Sequence, residues 1–466
     1  MNIPLVTSRA EGRGLSGQGD EPGQSRRGSL ATLKQRNFLF YAISRFAATG
    51  AMTLQQAVVA WQVYEISGSA FQLGLLGLVR FAPTLPLGLL GGAVADRFDR
   101  RRIVLISQVA PITSSAALLL ATAGGSESLP LIYVLVFLMS IGVAFDYPAR
   151  QALLPAVLRP ETFHSGITVA ATANSLGFVT GPAVGGLVIA LAGVSTAYGA
   201  HLALLAVALV SLLLVRAQER DTVRRSVSLE GIKEGVRFVW RNQVLLGCMT
   251  LDLFAVVFGA VTALLPIYAE EILDVGPWGY GLLSAALEFG ALLMALLLLW
   301  LPPIQRAGRA LIYSIAFFGI GIIVFGFSRS FPLSLAAYML VGMADQISVV
   351  MRQTIVQLVA PDELRGRVIS VNQMFVGTAN QMGAVRAGWL AAATSATFAA
   401  VSGGMACLVA LGLVSAKLPK LGAYNTTSDV ERQLAVPQQG SPPAETPVGA
   451  AKDRDPAGPP PSRRCA

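Results

Sequence analysis

Gly92-Ala93-Val94-Ala95-Asp96-Arg97-Phe98-Asp99-Arg100-Arg101-Arg102 is the stretch that decides how this chain folds. An apolar run, residues 70–95, leads into it, and a second, residues 102–123, leads away. Four arginines and two aspartates within residues 96–102 cannot enter hydrocarbon, so the two runs must cross a bilayer and return, leaving the charged hairpin in water. The pattern repeats outward in both directions. Apolar runs lie at 37–64, 70–95, 102–123, 130–149, 162–192 and 195–215, then at 243–271, 278–301, 308–328, 332–352, 364–392 and 396–416. A span needs about 20 residues. The 466 residues are 54% hydrophobic and 13% charged, against roughly 25% charged in a soluble domain. An ordinary soluble enzyme is excluded, and the expectation is an all-α membrane protein of twelve transmembrane helices.

Lysine and arginine set the orientation. With alternating spans, 31 of the 35 fall on the side of both tails, one (Arg329) on the other, and Arg45, Arg80 and Arg386 within spans. The opposite loops hold Glu65, Glu127, Glu270, Glu271 and Asp274. Basic segments stay in the cytoplasm, so both termini are expected there, in a plasma (inner) membrane. The net charge of +9 then reads as a topology signal, and no nucleic-acid partner is expected.

The organisation that follows is a polar tail (1–36), a six-helix bundle (37–215), a linker (216–242), a second bundle (243–416) and a Pro-rich tail (417–466). In the linker, Leu229, Ile232, Val236, Phe238 and Val239 alternate with Glu230, Lys233, Glu234 and Arg237, an amphipathic pattern suited to the inner membrane surface. The halves echo each other: Arg36-Asn37 matches Arg241-Asn242, Gly74-Leu75-Leu76 matches Gly281-Leu282-Leu283, and Arg150-Gln151 matches Arg352-Gln353. A parallel repeat places two bundles about an axis along the membrane normal, with a substrate site between them near mid-depth.

Two motifs carry a resemblance. Gly92 to Arg101 is similar to the G-x-x-x-D-R-x-G-R-R loop signature of the major facilitator superfamily, with Asp99 where glycine is commoner. Gly177-Phe178-Val179-Thr180-Gly181-Pro182-Ala183-Val184-Gly185-Gly186 resembles the G-x-x-x-G-P-x-x-G-G motif of the fifth helix in that superfamily's antiporters. The stretch from Asp146 to Gly186 is most similar to the branch of drug and metabolite exporters that includes the enterobactin exporters. The resemblance covers residues 34–417 and implies the major facilitator fold, export by antiport, and a fifth helix that seals the cavity against ion leak through Gly177, Gly181, Pro182, Gly185 and Gly186.

The residues themselves allow further reading. Asp96, Arg97, Arg100 and Arg101 ring the cytoplasmic mouth, and Asp146 and Arg150, four apart, share a helical face beside it; with Asp345 and Arg352 they form the expected inner gate. Small residues on the fifth helix permit close approach of a neighbour, and Pro182 favours a kink. Charges inside the bilayer are functional by default. Glu288 and Asp252 are the candidates for proton coupling, Glu288 preferred, with Arg80, Arg386 and Arg45 as cations for proton or substrate handling. His201 reads as a structural residue. Gln55, Gln56 and Gln62 in the first span and Asn372, Gln373, Asn380 and Gln381 in the eleventh could line a polar cavity.

No Walker loop, H-E-x-x-H or Cys/His cluster occurs, and Cys248, Cys407 and Cys465 are isolated, so neither cofactor, metal nor catalytic residues are expected. The reading is a secondary transporter exporting a small organic molecule (a drug, siderophore or other metabolite) against protons, with the bilayer as its other partner and no oligomer required. Its alternatives are a proton-coupled importer of an organic anion, then a membrane-embedded enzyme or a sensor.

Overall fold

The computed structural model describes residues 34–158, 162–215, 229–302 and 304–425; most of both expected tails and the first half of the linker lie outside the described residues. Every regular element among the described residues is helical. α1 (Arg36–Ser67) and α2 (Ala70–Arg97) are joined at Gly68, whose φ of 56° caps α1 while its N–H bonds the Tyr64 carbonyl. α3 (Arg100–Ser107) and α4 (Val109–Ala123) follow, then α5 (Leu129–Val157) and α6 (Phe163–Leu214). After α7 (Leu229–Arg241) come α8 (Gln243–Gly259), α9 (Gly276–Leu298), α10 (Ala307–Phe327), α11 (Phe331–Val359), α12 (Asp362–Ala393) and α13 (Ala396–Lys417). Eight helical stretches are long and apolar enough to cross a membrane among the described residues. One of them, Ser165–Leu214, is two helices joined at Gly193.

Local chemistry explains the breaks. Asp99, the departure from the loop signature, is the N-cap of α3, its carboxylate accepting the Arg101 N–H, so an acid supplies a cap that glycine could not. α6 passes through Pro182 without leaving helical geometry and breaks at Gly193, where φ 82° and ψ 172° demand glycine. This glycine corner lies eleven residues beyond Pro182. The run expected as one span over 243–271 is segmented: α8 ends at Gly259, a 3₁₀ turn covers Thr262–Leu264, and a π turn covers Tyr268–Ile272. Pro266 contributes, since it lacks an N–H and its ring crowds the carbonyl four residues back.

The basic end of the bundle carries Arg36, Arg100 and Arg241, and the acidic end Glu65, Glu127, Glu270 and Glu271. At the acidic end a single core cluster draws on both halves of the chain, joining Val59, Leu73 and Tyr198 to Leu265, Tyr280 and Ala387. Toward the basic end the core divides. Phe38, Val104, Leu153 and Leu212 form one cluster, and Leu245, Leu311, Ile355 and Val368 form another. The two halves thus meet at one end and part toward the other.

α7 is not a free surface helix. It docks on the second half: Val239 is buried in that half's core, and Glu234 pairs with Arg367 of α12.

Candidate transport site

Two carboxylates are neighbours where α9 crosses α11. Gly290 lies against the backbone of Met339, and Gly342 against that of Leu287. Neither position has room for a Cβ, so the helices approach to backbone contact. Glu288 sits between these contact points on α9, and Asp345 of α11 is its charged neighbour. Tyr338 stands beside both carboxylates, with its hydroxyl 3.4 Å from Thr262 Oγ1 in the 3₁₀ turn. No cation pairs with Glu288 or Asp345 among the described residues. Asp345 was expected beside Arg352 in the gate. The two are seven positions apart on α11, about 10 Å along the axis, and Asp345 is the neighbour of Glu288 instead.

Arg352 is paired with Asp252 of α8. Both are buried, at 4% and 5% exposure, and the pair ties α11 to α8. This arrangement makes Asp252 one half of an ion pair within the second half of the chain.

Neither Arg80 nor Arg386 pairs with Glu288. Arg80 Nη2 donates to the Gln56 carbonyl at 3.2 Å, with Tyr198 and Tyr280 as its electrostatic neighbours. Arg386 donates to the carbonyls of Phe258 (2.7 Å), Ala260 (3.5 Å) and Ala399 (3.5 Å). The carbonyls of Phe258 and Ala260 lie at the break after α8, where the helix leaves acceptors unsatisfied and its dipole favours a cation, and that of Ala399 belongs to the first turn of α13. Gly403 provides the room, since a Cβ there would lie 2.9 Å from Arg386 Nη2.

The first half has its own polar network. Asp146 accepts from Arg150 Nε (2.7 Å), Gln108 Nε2 (2.7 Å) and Ser107 Oγ (3.3 Å). Arg150 Nη1 donates to Ser44 Oγ at 3.0 Å, and Tyr41 donates to the Arg150 carbonyl at 3.1 Å. Asp146 and Arg150 therefore pair along one helix, as their spacing implies, and bind α1, α3 and Gln108. Arg100 donates to the Ala152 carbonyl (3.0 Å) and Arg101 to that of Leu213 (2.6 Å), so both cap carbonyls late in α5 and α6. Asp96 and Arg97 close α2, with side chains outside the described residues. Arg45 is buried and shares a cavity with Asp146 and Arg150.

The fifth-helix glycines divide between two partners. At Gly177 a Cβ would lie 2.9 Å from Gly50 N, and at Gly181 2.6 Å from Gly50 O, both on α1. Gly185 faces Leu54 with ordinary clearance. Gly186, a residue further round, meets the other half of the chain: a Cβ there would be 2.5 Å from both Gly281 Cα and Pro277 O. A second cross-half contact joins Gly74 and Gly388, and a third is the Tyr64 hydroxyl donating to Glu271. Tyr280 also donates to the Ala57 carbonyl at 3.1 Å. All belong to the shared core at the acidic end. Sequence reasoning missed Tyr338, Thr262, Ser107 and Gln108, whose only signal was a polar side chain in an otherwise apolar helix.

The chain is similar over most of its length to known exporters. It is 30% identical over 405 residues to the multidrug efflux pump Tap of Mycolicibacterium fortuitum, covering 84% of this chain and 97% of that protein. It is 26% identical over 392 residues to the enterobactin exporter EntS of Escherichia coli, covering 83% and 92%. Among solved structures, a peptide transporter POT in complex with sulfate aligns with a TM-score of 0.66 at 16% identity, covering 86% of this chain and 99% of that one. A bacterial homologue of the lysosomal transporter Spinster aligns at 0.61 and 15%, covering 89% and 99%. Since residues 27–439 match the model of the transmembrane secretion effectors, the chain belongs to that family, a branch of the major facilitator transporters.

Proposed function

We propose that this protein exports a small organic molecule across the plasma membrane by alternating access, driven by proton antiport. The observation that carries this reading is the near end-to-end likeness to a multidrug efflux pump and to a siderophore exporter. It is a transporter and not an enzyme. In the proposal twelve spans form two six-helix bundles, with both termini cytoplasmic. The conformation described is then open toward the cytoplasm, with its halves joined at the outer, acidic end.

Glu288 and Asp345 are the proposed coupling site. Two neighbouring carboxylates without a cation can take up and release a proton, and Tyr338 with Thr262 links that event to the broken seventh span. Asp252, held by Arg352, fits a structural role better than a coupling one. The test uses inside-out membrane vesicles with an acid interior and two probes, ethidium and a catecholate siderophore. Accumulation of either probe in wild type, with loss of uphill but not downhill movement in Glu288→Gln and Asp345→Asn, supports the reading. Probe leaving the vesicles against its gradient would make the protein an importer. Full uphill accumulation in both variants would end the coupling assignment.

A further inference from the structure

The first half of the chain lines a partly open cavity of about 90 Å³, walled by α1, α5, both parts of α6, Gln108 between α3 and α4, and Pro111 of α4. A drug-sized ligand needs several hundred Å³, so this space is not the transport cavity. Its lining is nonetheless polar at both ends. At one end are Asp146, Arg150 and Gln108; at the other is His201, 2% exposed, with Nδ1 2.7 Å from Ser115 Oγ.

Two buried polar atoms here have no protein partner. Arg150 Nη2 is a donor and Gln108 Oε1 an acceptor, and each belongs to a side chain more than nine-tenths buried. Leaving either unsatisfied costs about 1–3 kcal/mol. An anion would satisfy Arg150 and repel the Gln108 oxygen; a cation would do the reverse. Water does both, because it donates and accepts. The volume holds about three waters at roughly 30 Å³ each.

We propose that this cavity holds a short chain of ordered water connecting His201 to the Asp146–Arg150 pair, and that the chain lets His201 exchange a proton with Asp146. His201 lies eight residues beyond the Gly193 corner, about 12 Å in from the acidic end, whereas Asp146 lies in the basic half of α5. The transferred proton leaves a neutral imidazole and arrives on the Asp146 carboxylate, where it weakens the bond to Arg150; no other bond is broken. The charged and titratable groups around the path are Arg45 and Tyr41 from α1 and Asp146 and Arg150 from α5, while α4 contributes Ser115 and the fifth helix Asn174 and Phe178. The proposal rests on the proton-coupled reading only for its use in transport, and both tests are made on resting protein, so the two can fail separately.

Met139 lines the cavity at 4% exposure, and Met249 is equally buried, at 3%, in the apolar core of the second half. Water is the probe: in hydroxyl-radical footprinting of the full chain, bound water beside Met139 should make it oxidise severalfold faster than Met249, and Gln108→Leu should remove the difference. Equal rates for the two methionines in wild type would overturn the hydrated cavity. The chain has two histidines, so His164→Asn leaves His201 as the single imidazole for ¹⁵N magnetic resonance. Expected are a water exchange signal at Nε2 and a titration midpoint that moves in Asp146→Asn. A ring without water exchange, or one indifferent to Asp146, would overturn the relay.

Discussion

Asp252 and Arg352 show how a burial pattern can change the meaning of a charge. Each alone would be a costly ion in a low-dielectric interior; together they neutralise each other between α8 and α11. Removing one partner leaves the other buried and uncompensated, which costs about 3–5 kcal/mol, whereas replacing both with apolar side chains of similar volume is often neutral. Asp252→Asn should therefore lower the thermal unfolding temperature of the purified protein, and Asp252→Leu with Arg352→Met should restore most of it. If the double variant is as unstable as the single one, the pair has a role beyond mutual neutralisation. Glu65 offers the opposite case at the acidic end. Partial burial, then Glu270 and Glu127, raise its carboxyl above the ordinary value. A raised acid costs stability once pH climbs through the unfolded and then the folded value, and costs nothing below both. Glu65→Gln should thus stabilise the protein at pH 8 and make no difference at pH 3.5, measured as unfolding temperature at the two pH values.

At the scale of elements, one glycine motif serves two interfaces. Gly177 and Gly181 seat the fifth helix on α1 within the first half, while Gly186 seats it on α9 across the halves. A Cβ at Gly177 forces α1 away in every conformation, so Gly177→Val should reduce the amount of folded protein. A Cβ at Gly186 obstructs only the contact made when the acidic end is closed. Gly186→Val should leave folding intact and shift the population toward opening at that end. In a cysteine-free background, a cysteine at Ala57, whose carbonyl accepts from Tyr280 across that interface, should then react faster with an impermeant maleimide. Unchanged labelling would mean that Gly186 contributes no more than packing.

For the whole molecule, the split core supplies the two ends that alternating access requires. One cluster shared at the acidic end and two separate clusters toward the basic end describe a shape in which opening and closing exchange apolar contacts between halves. The proposed orientation in the membrane rests on the basic residues. Cysteines at Ser126 and Gly276 should react with an impermeant reagent in intact cells, and cysteines at Ser25 and Ser441 only after permeabilisation. Outside labelling of the tail positions would reverse the proposed topology.

The periodicity of apolar runs and the placement of arginine were enough to read most helices from the sequence, because in hydrocarbon each backbone segment must satisfy its own hydrogen bonds and each charge must find water or a partner. Boundaries such as Gly68 and Asp99 were legible for the same local reason: a left-handed turn and a helix cap are properties of one or two residues. So was the corner at Gly193, which falls between the expected runs 162–192 and 195–215; the break after Gly259 and the docking of α7 were not, since each depends on what lies alongside. Partner choice was the least legible. Nothing in the chain's order states that Arg352 takes Asp252 rather than Asp345, that Arg386 takes carbonyls, or that Glu288 faces a second acid. Those outcomes depend on depth and rotation of helices far apart in sequence, and backbone contacts at Gly290 and Gly342 fix one of them; only the tertiary structure decides them, because Coulomb energy follows distance in space and the sequence records distance along the chain.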